Sequence, residues 1–221
     1  MKRLLLSLFI ACLVLCAISA QAVVTLVPSP ASPTPADLSD LDHYQAYQWA
    51  FNKPLPANIV SANIHFTSIT NTQEVEANDI LKVWLLDNKN TSQFLGKNWV
   101  SIGSNAYSQS WRWQDDQYKT KPFNDPSWPT QKYLIGSWTD PNSAAHTDPV
   151  DMPFDATALA KLNAWSTDSD WAIGFDPDCH YNNGGITLTF TTGPTIPEPM
   201  SLMLGIMGLG SVAGLRRLRK K

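Results

Sequence analysis

The middle of the chain alternates apolar and polar residues with the period of two that is typical of half-buried β-strands. The clearest stretch places Val60, Ala62, Ile64 and Phe66 between Ser61, Asn63, His65 and Thr67. Residues 80–86 read Ile-Leu-Lys-Val-Trp-Leu-Leu, a nearly continuous apolar run that predicts a central strand. Five further runs bring the predicted set to at least seven strands: Tyr44–Phe51, Tyr107–Trp113, Tyr133–Trp138, Trp171–Phe175 and Ile186–Phe190.

Turn residues and one helical segment complete the pattern. Asn182-Asn183-Gly184-Gly185 separates the last two strands, and this combination predicts a hairpin there. Residues 155–162 contain good helix formers behind Asp155, which suits a helix N-cap. Many short strands with one short helix predict an all-β fold, an antiparallel β-sandwich of jelly-roll-like topology.

The amino terminus has the layout of a secretory signal peptide. Met1-Lys2-Arg3 is basic, Leu4–Ala17 is apolar, and Ala20 and Ala22 are the small residues that signal peptidase requires before its cut. The apolar run is shorter than the roughly 20 residues of a spanning helix. We therefore expect cleavage after Ala22, with an uncleaved amino-terminal anchor as the alternative.

The carboxyl terminus combines a rigid motif, an apolar segment and a basic cluster. Pro197-Glu198-Pro199 precedes the uncharged stretch Met200–Leu215, and residues 216–221 read Arg-Arg-Leu-Arg-Lys-Lys. This order predicts a single transmembrane helix whose terminal cations stay in the cytoplasm. A plain tail-anchored protein is the alternative, although such a protein would not need a signal peptide.

The tail resembles the PEP-CTERM sorting signal of Gram-negative bacteria, with Pro197, Glu198 and Pro199 as the recognition motif. The resemblance covers about 25 of the 221 residues. It implies that signal peptidase and an exosortase process an inner-membrane-anchored precursor, which then passes to the outer envelope or the extracellular matrix. It also implies an association with exopolysaccharide and biofilm.

These two terminal signals divide the predicted chain into a signal peptide (1–22), a Pro/Ser-rich linker (23–36), a β-sandwich domain (37–192) and the sorting region (193–221). Without the signal peptide and the sorting region, the chain keeps nine basic and eighteen acidic side chains, a formal charge of −9. So acidic a domain is unsuited to nucleic acid, because phosphate contacts need clustered Lys and Arg. Cys179 is the one cysteine of the mature domain, and we expect it to be buried, with pairing between chains as the alternative.

A metal site is one candidate within the domain. Asp176 and Asp178 are two residues apart, and the amide side chains of Asn182 and Asn183 follow closely. Oxygen ligands of this kind suit Ca²⁺. The same residues also form ordinary turns, so a structural turn remains the alternative. A similar Asp-Pro-Asp-Cys-His run recurs in some PEP-CTERM ectodomains, a looser resemblance that implies no chemistry.

The sequence does not indicate an enzyme, since its four histidines are scattered and no nucleophile elbow or phosphate-binding glycine loop occurs. Two non-catalytic functions remain open: a structural protein of the envelope or matrix, and a carbohydrate-binding module. Sugar rings stack on exposed aromatic side chains. The candidate residues for such stacking are Trp111, Trp113, Trp128 and Trp138.

Overall fold

The computed structural model describes residues 21–28, 38–42, 45–72, 80–88, 99–104, 108–114, 131–140 and 148–193. Its strands are β1 (Val23–Leu26), β2 (Asp40–Leu41), β3 (Gln45–Phe51), β4 (Ile59–Asn71), β5 (Ile80–Leu86), β6 (Trp99–Ser104), β7 (Ser108–Gln114), β8 (Lys132–Thr139), β9 (Asp148–Pro153), β10 (Trp171–Pro177), β11 (Tyr181–Asn183) and β12 (Ile186–Thr192). The helix α1 (Ala156–Trp165) lies between β9 and β10.

All these elements belong to one compact unit, Ala22–Thr192. Most of the predicted signal peptide, including Ala20, and the whole predicted sorting motif and transmembrane segment lie outside the described residues. Within the described ranges, no helix has the length and apolar character needed to cross a bilayer.

The strands form two antiparallel sheets, so the predicted all-β architecture with a short helix is confirmed for the described residues. Sheet 1 contains β1, β2, β4, β9, β11 and β12. Sheet 2 has the order β6-β7-β3-β10-β5-β8. The chain passes from sheet 2 to sheet 1 between β10 and β11, through residues 178–180.

Strand β4 organises sheet 1 because one straight stretch of chain, residues 181–192, lies along it. β11 pairs with the Ile69–Asn71 end of β4, and β12 pairs with the remainder as far as Ile59. Between these two ladders, Gly184 N donates to Ser68 O at 3.0 Å and Thr67 N donates to Gly185 O at 2.9 Å. The backbone pairing therefore continues where the sequence predicts a hairpin.

The hairpin prediction at residues 182–185 is wrong, and the two glycines explain the difference. Gly185 has φ = 141°, outside the range of ordinary L-residues, and a Cβ on Gly184 would lie 2.5 Å from Ser68 Oγ. Glycine here permits an irregular strand and close packing, which are alternatives to a turn. The chain instead reverses at residues 178–180.

The core lies between the sheets and consists of alternate residues of the central strands. Phe51 of β3 stacks on Trp171 of β10, with ring centroids 3.8 Å apart and planes 2° from parallel. The alternation along β4 is confirmed for Ala62, Ile64 and Phe66, which are buried. It is wrong at its first position, because the ladder shifts between Thr191 and Thr192, so that Ile59 is buried and Val60 is 46% exposed.

Strand β1 lies inside the stretch that the sequence assigns to a linker. It pairs with β12 from Val23↔Thr191 to Leu26↔Leu188. Val24 and Leu26 are partly buried and pack against the core. The folded unit thus begins before residue 37, and the linker is confined to the residues between β1 and β2.

The predicted helix is confirmed, together with its cap. Ala158 N donates to Asp155 Oδ1 at 2.6 Å, and Ser166 N closes the last turn by donating to Leu162 O at 3.0 Å. The buried side chains of the helix are Ala158 and Leu162. The helix continues to Trp165, a few residues beyond the predicted end.

We expect Trp171→Ala to lower the free energy of unfolding by about 3–5 kcal/mol, since it removes a fully buried ring and leaves a cavity. Urea unfolding of the purified protein measures this loss. Trp171→Phe keeps an aromatic ring against Phe51 and should lose clearly less. Equal losses for the two variants would contradict a role for the stack.

Candidate functional site

The predicted metal ligands lie around the junction between the two sheets. Asp176 is fully buried near the end of β10, whereas Asp178 is exposed in the following turn. Asp178 Oδ2 lies 3.9 Å from Lys82 Nζ. Asn182 is exposed on β11. The four predicted ligands thus differ in burial and in partners.

Asn183 is buried and its amide serves a structural purpose. Nδ2 donates to Leu38 O at 2.7 Å, and Oδ1 accepts a hydrogen bond from Gly185 N at 3.1 Å. The side chain therefore joins β11 to the residue that precedes β2. Within the described residues, no three His, Cys, Asp or Glu side chains lie close enough together to hold a metal ion. The predicted Ca²⁺ site includes amide oxygens as well as carboxylates, and it stays a prediction.

Cys179 and His180 are neighbours in sequence but contact different partners. Cys179 is 3% exposed and its thiol donates to Asn71 Oδ1 at 3.1 Å. The His180 Nε2 atom contacts Asp40 Oδ1 of β2. These contacts fasten the β10–β11 turn to β4 and β2. They agree with the expectation of a buried cysteine, and the question of pairing between chains stays open.

A second His–Asp contact lies on sheet 1. Asp151 Oδ1 accepts a hydrogen bond from Asn63 Nδ2 at 2.6 Å and lies 2.9 Å from His65 Nδ1. The Asn63 and His65 hydrogen bonds hold the pKa of the Asp151 carboxyl below its usual value, in that order of importance. The rings of His65 and His180 each contact a carboxylate, and the His180 carbonyl accepts a hydrogen bond from the Thr72 hydroxyl at 3.2 Å.

A third charged cluster surrounds helix α1. Tyr133 Oη donates to Asp155 Oδ2 at 2.8 Å, and Lys161 Nζ lies 4.7 Å from the ring centroid of Trp165. Burial raises the pKa of Asp87, and repulsion from Asp168 and Asp170 adds to this effect. These contacts position the helix on the sandwich. The sequence predicts no functional site at these side chains.

The three candidate tryptophans on described strands are divided between β7 and β8. Trp111 stands opposite Gln48 and Trp113 opposite Ala46 in the β7–β3 register. Trp138 is on β8, at the far edge of sheet 2, and packs edge-on against Tyr181 with ring centroids 5.7 Å apart. Trp138 thus belongs to the margin of the core. Trp128 lies outside the described residues.

The register extends from Trp111 into a row across the middle of sheet 2. Trp111 pairs with Gln48, Gln48 with Gly174, and Gly174 with Trp84. Directly opposite residues share a face of the sheet. This face is the one away from the core, since the alternate residues Tyr47, Trp49 and Phe175 belong to the core cluster.

Two polar atoms in this row have no hydrogen-bond partner among the described residues. Gln48 is fully buried; its Nε2 donates to Asn88 O at 3.4 Å, whereas its Oε1 accepts nothing. The indole Nε1 of Trp84 is also buried and donates to nothing. A buried amide oxygen and a buried N–H each cost free energy when unsatisfied. An acceptor and a donor in one row suit the hydroxyl groups of a ligand, or ordered water.

Neither Gln48 nor Trp84 stands out in the sequence as a site residue. A signal does exist for Gln48, because it is a polar side chain inside the otherwise apolar run Ala-Tyr-Gln-Trp-Ala-Phe. A glutamine in the middle of a buried strand needs a partner, and that requirement marks it as unusual.

Comparisons of this chain with protein-family models, with curated proteins and with solved structures gave no match. Function therefore has to be argued from the residues and contacts described above.

The Asp151 contacts predict a specific pH dependence. The pKa of Asp151 is lowered in the folded state. The stabilisation from its hydrogen bonds is therefore present above the unfolded pKa of about 3.9 and is lost as the pH falls through the lower folded value. We expect Asp151→Asn to be less stable than the parent at neutral pH and to lose less stability on acidification.

Urea midpoints measured from neutral pH down to the acid limit of the folded state test this expectation. Asn63→Ala removes the first contributor to the shift, so Asp151→Asn should have a smaller effect in that background. Parallel pH profiles for the parent and Asp151→Asn would contradict the assignment.

Proposed function

We propose that this chain is an exported, exosortase-sorted protein of the cell envelope or extracellular matrix, without catalytic activity of its own. The observation that carries the proposal is the order of the tail: Pro197-Glu198-Pro199, the apolar segment 200–215 and the basic residues 216–221. The signal peptide, with Ala20 and Ala22 before its cleavage point, supports the same route.

The route has two proteolytic steps. Signal peptidase cuts after Ala22, and the apolar tail then holds the precursor in the inner membrane. An exosortase cuts near the Pro-Glu-Pro motif and releases the protein toward the outer envelope or the matrix, where it meets exopolysaccharide. All of the compact unit Ala22–Thr192 except Ala22 itself lies between these two proposed cuts.

The contacts of the histidines support a non-catalytic role for the sandwich. The His65–Asp151 pair joins β4 to β9, and the His180–Asp40 pair joins the β10–β11 turn to β2. Both pairs hold parts of sheet 1 together, which is a structural role. We further propose a jelly-roll-like topology for the two sheets.

Carbohydrate binding is the second candidate, and the row across sheet 2 favours it. Trp111 and Trp113 stand in register opposite Gln48 and Ala46. The neighbouring positions Ala50, Ala172 and Gly174 have small side chains or none, and they are buried like Gln48. An aromatic side chain beside hydrogen-bonding groups is the usual means of holding a sugar ring. A Ca²⁺ ion at Asp176 and Asp178 would be an accessory to this function.

Replacing Glu198 tests the sorting proposal. In a host that has an exosortase, we expect Glu198→Ala to leave the precursor in the membrane fraction at its uncut mass. Thr195→Ala, a substitution in the same tail but outside the motif, should be processed like the parent. Mass spectrometry of the carboxyl terminus measures the outcome, and normal cutting of Glu198→Ala would overturn the proposal.

Replacing Gln48 by Met tests the sugar candidate. The change removes the buried amide oxygen at similar volume, so stability should change little, because the lost Asn88 contact is offset by removal of an unsatisfied acceptor. If the row holds a sugar hydroxyl, the affinity for host exopolysaccharide should fall by roughly threefold to tenfold.

Tryptophan fluorescence during titration with the polysaccharide measures the affinity, and urea unfolding measures stability. Val60→Ala, on the other sheet, is the control and should bind like the parent. A Gln48→Met variant that is stable and binds the polysaccharide unchanged would exclude the row as a sugar site.

A further inference from the structure

Strand β1 forms the edge of sheet 1 and has a single neighbour. Its ladder with β12 runs over four residue pairs, and the described strands place nothing on its other side. Val23 is 68% exposed, whereas Val24 and Leu26 are partly buried and contribute two apolar side chains to the core. Such a strand can separate from the sheet at low cost relative to the central strands.

Strands β1 and β2 lie along the same edge. Leu26 stands opposite Leu188, and Asp40 stands opposite Asn182 on the same straight stretch of chain. At about 3.4 Å per residue these six positions correspond to roughly 20 Å.

The connection between β1 and β2 is far longer than this gap. Leu38 and Ser39 are already bonded to Asn183, so the connection comprises the eleven residues 27–37, which can span as much as about 36 Å at 3.3 Å per residue. Residues 27–35 include four prolines. The connection is thus longer than the pairing within one chain requires.

We propose that β1 is exchanged between copies of this chain, so that β1 of one molecule pairs with β12 of another in the register that it has within the monomer. The strand that replaces β1 is β1 of another copy and has the same sequence. The exchanged pairing therefore has the same hydrogen bonds and the same two apolar contacts. A reciprocal exchange gives a closed dimer, and a one-directional exchange joins molecules head to tail.

Concentration decides between the closed and the exchanged forms. Pairing within one chain has an effective concentration on the order of millimolar for a linker of this kind. Exchange therefore becomes competitive where copies are crowded, as on a membrane or in a matrix. The inference goes beyond the proposed function and does not depend on the tail motif.

A cross-link between two strands tests the exchange. Thr25 and Thr189 are directly opposite, with their hydroxyl oxygens 3.3 Å apart, so cysteines at these positions can form a disulfide. One full-length chain carries Thr25→Cys and a second carries Thr189→Cys, and both are produced and exported in one cell. We expect a disulfide-linked species of twice the chain mass on a non-reducing gel.

Three controls make the result decisive. Thr25→Cys with Thr187→Cys shifts one cysteine by two residues along β12 and should give severalfold less cross-linking. Adding Leu26→Asp to the Thr25→Cys chain should abolish the cross-link, because it puts a charge where an apolar side chain meets the core. Each single variant produced alone reports any contribution from Cys179.

A chain that carries both Thr25→Cys and Thr189→Cys should close within itself in dilute solution. If this chain closes but the two single-variant chains do not cross-link, β1 stays with its own molecule and the proposal is overturned. If the double variant does not close, the β1–β12 register itself fails, and the proposal fails with it. Processing at Glu198 plays no part in this readout, so it is separate from the sorting proposal.

Discussion

The pairing of β4 with the straight stretch 181–192 is the constraint on which the rest of the domain depends. It makes β4 the centre of sheet 1, with β9 on its other side. It also requires the chain to leave β10 of sheet 2 and enter sheet 1 through three residues, which places Cys179 and His180 between the sheets. The outer edge of the same stretch accepts β1 and β2. Gly184 and Gly185 permit this continuity where side chains would meet Ser68 or strain the backbone.

The sequence anticipates the elements whose signal is local and misses those defined by partners. The alternation along β4 and the apolar run of β5 predict strands because burial on one or both faces is written into consecutive residues. The cap of α1 is predictable because Asp155 acts on a backbone N–H three residues away. Strand β1 has only two inward apolar residues beside a Pro-rich stretch, so its pairing with a strand more than 160 residues later has no local mark. The Asn-Asn-Gly-Gly run is ambiguous for the same reason, since glycine suits a turn and a strand irregularity alike.

The candidate sites also differ in whether their signal is local in the sequence or depends on partners in the fold. The proposed sorting motif can be predicted without the fold, because it is defined by the order of three short segments along the chain. The predicted Ca²⁺ site, in contrast, depends on where each side chain points. In the structure, the Asn183 amide hydrogen-bonds to the backbone of Leu38 and Gly185. Asp176 is buried, whereas Asp178 is exposed. The row from Trp111 to Trp84 unites residues of four strands that are remote in sequence. Only the register reveals it, because the unsatisfied oxygen of Gln48 becomes informative once its strand is known to be buried.

The position of β1 in the chain order bears on the proposed exchange. β1 is the first described strand after the predicted signal cleavage and β12 is the last described strand before the predicted sorting region, so their ladder can form only when the rest of the domain has been made. Until then β1 lacks its partner within the same chain. An unpaired strand edge is a template for pairing with another chain. The chain order that separates β1 from β12 by the whole domain therefore favours the proposed exchange, because it leaves β1 the longest time in which to meet β12 of another copy.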